Sequence, residues 1–196
     1  MPANARKDEF AEAREAMVES QLRPQGVADP MVLDAMAAVP RERFVPETEL
    51  ALAYSDRSVK LGEGRFLMAP AALGLLIQAL EPRPGERALI VGSAPAYAAE
   101  VLRAMGVDAS EAEPNSTTKG AAAFDLILID GAVEQVPDSL VARLEVGGRL
   151  ATAILDRGVA RLTVGTKSAG GFGLRSIGDA AVPPLPGFER PRAFVF

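Results

Sequence analysis

The amino-acid sequence predicts an α/β fold, a largely parallel sheet with covering helices behind a helical front. Three observations carry this expectation. Residues 88–91 (ALIV) are a continuous apolar run ending at Gly92, as a strand buried on both faces reads. Strand and helix patterns alternate from there to residue 155. The first 80 residues instead place apolar side chains at helical spacing. The chain has 196 residues, 48% of them hydrophobic and 24% charged, which suits one folded domain with a sizeable core and excludes disorder over its whole length.

In the front, Phe10, Ala13, Met17, Val18 and Leu22 share one helical face, and Pro24 and Gly26 end the helix. A second helix has Asp29 as N-cap, Pro30 at its first position, and Val32, Leu33 and Met36 inside, with a stop before Pro40. Residues 40–69, with two prolines and two glycines, read as loop. A third helix opens at Pro70, carries Leu73, Leu76, Ile77 and Leu80 on one stripe, and closes at Pro82.

Beyond the strand at 88–91, residues 96–105 read as helix with Gly106 as its stop. Residues 107–113 suit a second strand. Residues 124–130 (FDLILID) are the strongest strand in the chain. A short helix is expected over 138–144 and a strand over 149–155. The last 40 residues are rich in Gly and Pro; runs such as 162–164 and 193–196 suggest antiparallel edge strands.

Absences narrow the chemistry. With no Cys there are no disulfides, no thiol nucleophile and no thiolate metal site; with no His there is no imidazole base or ligand. Catalytic triads and zinc hydrolases are thereby excluded, and no metal site is expected. The net charge of −5, without a block of like charges, argues against nucleic acid as a partner. No apolar run approaches the ~18 residues of a membrane span, and the charged N-terminus has no signal-peptide core, so a cytoplasmic location is expected.

The stretch 26–46 (GVADPMVLDAMAAVPRERFVP), followed by Ala53-Tyr54-Ser55-Asp56, by Leu61-Gly62-Glu63-Gly64 and by Pro84 to Gly92 (PGERALIVG), resembles the protein-L-isoaspartate O-methyltransferase family over nearly the whole chain. The resemblance implies a Rossmann-like, S-adenosylmethionine-dependent methyltransferase fold, with residues 1–83 as a helical extension and linker packed on the core of residues 84–196 in one structural unit. It also implies methyl transfer to the stray carboxylate of isoaspartyl residues in damaged proteins, with isoaspartyl proteins or peptides as partners. Cofactor contacts would come from Gly92, Tyr97 and Glu113, and substrate contacts from Tyr54 and Asp56. Tyr97 suits packing equally well, and Asp130-Gly131 is either a site feature or a turn. The lack of His is compatible with this chemistry, because a carboxylate nucleophile is already ionised at neutral pH.

The sequence departs from the family at four places. The glycine-rich turn reads Gly92-Ser93-Ala94-Pro95-Ala96, and Pro95 removes an N–H and restrains Ala94. Ile90 stands where the family has an acid. Met68 occupies the family's serine position, so no catalytic residue is assigned; a thioether cannot donate a hydrogen bond to a carboxylate. Ten residues, 114–123, separate Glu113 from Phe124. Ten residues reach at most ~36 Å, which allows a direct crossover and leaves no room for a third strand and its helix. Residues 107–113 then form a sheet edge.

Three readings follow. One is a family member with degenerate cofactor and acceptor sites, non-catalytic or strongly impaired. The second is an active isoaspartyl methyltransferase. The third is an interaction or scaffold protein.

Overall fold

The computed structural model describes residues 3–114 and 123–190. The front begins with α1 (Ala3–Met17), which widens into a π-helical turn over Val18–Leu22. That turn carries Val18 and Leu22 inward beside Met17. Helix α2 (Pro30–Ala38) starts as expected: the Asp29 carboxylate accepts the Met31 N–H at 2.8 Å, satisfying one of the donors a helix start leaves open. Val39 is extended, as the residue before Pro40 should be.

The segment expected to be loop is more ordered than its prolines and glycines suggest. It holds 3-10 turns at Arg41–Phe44 and Glu47–Leu52, then a hairpin of β1 (Val59–Gly62) and β2 (Arg65–Leu67). Both turns follow a proline with extended backbone, Pro40 and Pro46, so these residues act as starts as well as breaks. Helix α3 (Pro70–Leu80) follows, with Pro70 at its first position and Glu81 left-handed just past its end.

The sheet comprises β3 (Arg87–Gly92), β4 (Asp108–Ala112), β5 (Phe124–Val133), β6 (Leu144–Asp156), β7 (Val159–Ser168) and β8 (Gly171–Asp179). Its spatial order is β4-β3-β5-β6-β7-β8. The first four in that order run parallel, and β7 and β8 add an antiparallel meander. Helix α4 (Ala96–Ala104) links β3 to β4, and α5 (Asp138–Ala142) lies between β5 and β6. The antiparallel C-terminal strands are therefore longer and start earlier than their apolar runs indicate. Residues 193–196, read as a strand, lie outside the described residues. The helix expected over 138–144 is shorter, because Leu144 already belongs to β6.

Alternation along β3 splits the core. Ala88 and Ile90 join the larger cluster, which contains the apolar faces of α1 to α4. Leu89 and Val91 join a second cluster with Ile127, Ile129 and Leu150 on the opposite face. Parallel strands need cover on both sides, and this explains why 88–91 reads as unbroken apolar sequence. Strand β4 lies at the edge of the sheet, where its charged composition places it. Arg103 of α4 donates to the Ala109 carbonyl at 2.7 Å and pairs with Glu111 at 3.0 Å. The crossover from β4 to β5 falls largely in residues 115–122, outside the described residues. Among the described residues no helix is long and apolar enough to cross a membrane.

One ion pair ties front to sheet. Arg149 of β6 binds Glu86 with both terminal nitrogens at 2.9 Å. The same guanidinium donates to the carbonyls of Leu80 and Glu81, at 2.8 and 2.9 Å, and so caps α3. Burial pushes the Glu86 carboxyl up, but Arg149 and the Arg83 N–H outweigh it, leaving the group below the usual range. Replacing Arg149 by Met should cost about 2–3 kcal/mol, since it strands Glu86 and two helix-end carbonyls. Urea unfolding checks this, and an unchanged midpoint would contradict the assignment.

Candidate active site

In open α/β sheets the carboxyl ends of the parallel strands face the ligand crevice. Here that end is built from Gly92 of β3, the turn at 93–96, and Asp130-Gly131 of β5. Gly92 pairs in register with Asp130. A Cβ at Gly92 would sit 3.0 Å from the Asp130 Cβ and 3.2 Å from its carbonyl oxygen, so the close approach of these strand ends requires glycine.

Behind the strand ends lies a buried polar cluster. Arg41 and Tyr97 are both 0% exposed, and Asp130 is 5% exposed. The Arg41 guanidinium donates to the Ala53 carbonyl at 2.8 Å and to the Met68 carbonyl at 2.5 Å. It also stacks over the Tyr97 ring at 4.9 Å, and Phe44 packs edge-on against that ring at 5.4 Å. Tyr97 is thus a buried support under the turn. Arg41 Nη1, Tyr97 Oη and Asp130 Oδ1 make no hydrogen bond among the described residues. Burial pushes the Tyr97 phenol up, against the pull of Arg41. Burial likewise pushes the Asp130 carboxyl up to about 7, while Arg41 draws it down.

The other predicted residues are dispersed. Met68 is buried. It lines a void of about 10 Å³ with Phe66, Ser93, Asp130, Gly131 and Leu185. Tyr54 faces inward to the front: its hydroxyl accepts from Arg14 Nε at 2.9 Å and donates to Glu42, which pairs with Arg14 at 3.1 Å. Burial, with Glu42, pushes the Tyr54 phenol up to about 12 despite Arg14. Asp56, two residues on, accepts from Gln25 at 2.7 Å and lines a separate groove of about 530 Å³ with Ser58, Lys60 and Asp179. Tyr54 does not line that groove.

Glu113 lines an open cleft of about 610 Å³. The turn at 93–96 forms one wall of it, and Phe44, Pro46, Leu61 and Leu67 supply apolar surface. Gly92 itself lies at the cleft's inner end, beside Ser93. The sequence reading missed Arg41, Arg14 and Glu42. Their charges look like ordinary surface composition, and nothing in the spacing signals that Arg41 is fully buried.

The cofactor implied by the resemblance can be tested against these walls. Its nucleoside half fits the open cleft, where Glu113 can accept ribose hydroxyls. Its amino-acid arm does not fit. Ile90 is 0% exposed within the core, so β3 offers the arm no carboxylate. The neighbouring void of about 10 Å³ holds about one water.

Asp130 generates a pH signature. An unfolded Asp titrates near ~3.9. Between that value and about 7 the folded state keeps a proton that the unfolded chain has released, so this group's contribution to stability falls as pH rises through the window. Above the window the loss is complete. Asp130→Asn should therefore gain stability relative to the native chain as pH rises from about 4 to about 7. Urea midpoints of both proteins across that range check it; parallel curves would refute it.

Comparison with known proteins agrees with the scaffold. A model of the protein-L-isoaspartate(D-aspartate) O-methyltransferase family matches residues 12–112. A Methylorubrum extorquens protein-L-isoaspartate O-methyltransferase is 36% identical, with 89% of each chain covered. A Pelotomaculum thermopropionicum protein of the same description is 32% identical over 93% of this chain and 92% of its own. Among solved structures, a Plasmodium falciparum chain described as such a methyltransferase, in complex with S-adenosyl-L-homocysteine, superposes with a TM-score of 0.72 at 20% identity, covering 89% of this chain and 98% of that one. A second protein-L-isoaspartate O-methyltransferase gives 0.73 at 17% identity, over 90% of this chain and 67% of the other. The fold is therefore the Rossmann-like methyltransferase fold, and the chain belongs to the protein-L-isoaspartate O-methyltransferase family.

Proposed function

We propose that this chain is a family member that keeps the scaffold and the nucleoside end of the cofactor cleft, and that methyl transfer in it is absent or strongly impaired. The observation carrying the proposal is the void of about 10 Å³ between Met68, Ser93, Asp130 and Leu185. Transfer depends on holding two reactants in line at close range. A donor arm and an acceptor carboxylate cannot share a space that holds about one water.

S-adenosylmethionine, the family's cofactor, is held in this reading through its nucleoside, by Glu113 and the turn at 93–96 above Tyr97. When bound, it supplies the activated methyl group. The polypeptide partner class is isoaspartyl proteins or peptides. The groove beside Asp56 is the surface we assign to them, and Tyr54 shapes its border from inside through Arg14 and Glu42. Residues 1–83 and 84–196 act as one structural unit in this reading, since the larger core cluster contains side chains of both. A Cys-free, charged chain suits a reducing cytoplasm.

The active-enzyme reading is favoured by one observation, the open cleft of about 610 Å³ beside Glu113. Methyl incorporation from labelled S-adenosylmethionine into an isoaspartyl peptide separates the two. We expect incorporation at least ~100-fold below that of the Methylorubrum extorquens relative run alongside, about the scale that misplaced reactants cost. Comparable turnover would establish the active enzyme instead.

A further inference from the structure

The two ends of the strand-end crevice differ in size by more than an order of magnitude, and this sets what the crevice can hold. The outer cleft, of about 610 Å³, has room for a base and a sugar. Phe44, Pro46, Leu61 and Leu67 give it apolar surface for a flat heterocycle. Glu113 lies about 20 residues beyond Gly92 along the chain, at the end of the neighbouring strand, where an acid meets sugar hydroxyls in dinucleotide-binding sheets. A carboxylate offers about four lone-pair sites, so it can take two hydroxyl donors in addition to its interactions within the protein.

The inner end is shut, and more than one wall shuts it. Residues 183–185 are hydrogen-bonded onto β5: Ala132 N–H donates to the Pro183 carbonyl at 2.8 Å, and Leu185 N–H to the Ala132 carbonyl at 2.7 Å. A Cβ at Gly131 would come within 2.8 Å of the Leu185 Cβ, so this wall already touches backbone. Met68 closes the opposite side, its carbonyl held by Arg41. Opening the compartment would require moving a paired backbone segment as well as a side chain. An ammonium and carboxylate forced into it would be desolvated without dedicated partners, at a cost of several kcal/mol.

We propose that the crevice is a nucleoside site that makes no use of an amino-acid arm attached at the 5′ position. A ligand carrying such an arm binds through its base and ribose, and the arm stays in solvent. This deepens the function proposed above and rests on it, because the same closed compartment underlies both.

Calorimetric titration of the full chain with adenosine and with S-adenosyl-L-homocysteine tests the idea. The dissociation constants are expected to agree within about threefold, and Glu113→Gln should weaken adenosine about tenfold, the scale of one charged hydrogen bond. A tenfold or greater preference for S-adenosyl-L-homocysteine would overturn the proposal, as would no binding of adenosine at millimolar concentration. An unchanged adenosine affinity in Glu113→Gln would also overturn it. Failure here is distinguishable from failure of the functional reading. A chain that prefers the arm yet transfers no methyl refutes the nucleoside site alone, whereas methyl transfer to the isoaspartyl peptide refutes the loss of catalysis.

Discussion

The guanidinium of Arg41 is the point through which the helical front, the hairpin side and the sheet are held together. A fully buried charge is tolerated where its donors find acceptors, and Arg41 finds the carbonyls of Ala53 and Met68 on two separate segments. Its flat face rests on Tyr97, at the start of α4, and its charge acts on Asp130 at the end of β5. Removing it would leave two carbonyls and a carboxyl without their counterpart in the interior. The positions of Met68 and of the turn at 93–96 therefore depend on this one side chain, and so does the shape of the crevice.

The same clasp explains why the crevice is open at one end and shut at the other. Arg41 draws the Met68 backbone towards the strand ends, while the residues after β8 pair with Ala132 and bring Leu185 against Gly131. Met68 and Leu185 line the inner compartment from different parts of the chain. Away from this junction the turn at 93–96 and the end of β4 stand apart, and the outer cleft remains. Family membership and loss of chemistry are compatible on these terms. The scaffold rests on core packing of the four longer helices against the sheet, whereas the reaction depends on a few ångströms of space beside Gly92.

Much of the fold was legible because it follows from local rules. The Asp29-Pro30 start of α2, the Pro70 start of α3 and the unbroken apolar run of β3 each express a short-range constraint. The segment 40–69 was less legible, because its 3-10 turns and hairpin are short and are held by distant partners such as Gln21, which donates to the Tyr54 carbonyl at 2.8 Å. Strands β7 and β8 were hard to bound for a related reason. Strand β8 is mostly exposed, so it lacks the alternation that marks a half-buried strand.

The candidate site divides along the same line. From sequence alone came the α/β class, the family, and the positions of Gly92, Met68, Tyr97 and Glu113, since these depend on residue type and order along the chain. Tertiary structure decided that Tyr54 and Asp56, two residues apart, serve different neighbourhoods, and that Arg41 is buried. It also decided that the space beside Asp130 is closed. Such facts arise where segments distant in the chain meet, and a void is set by all of its walls at once.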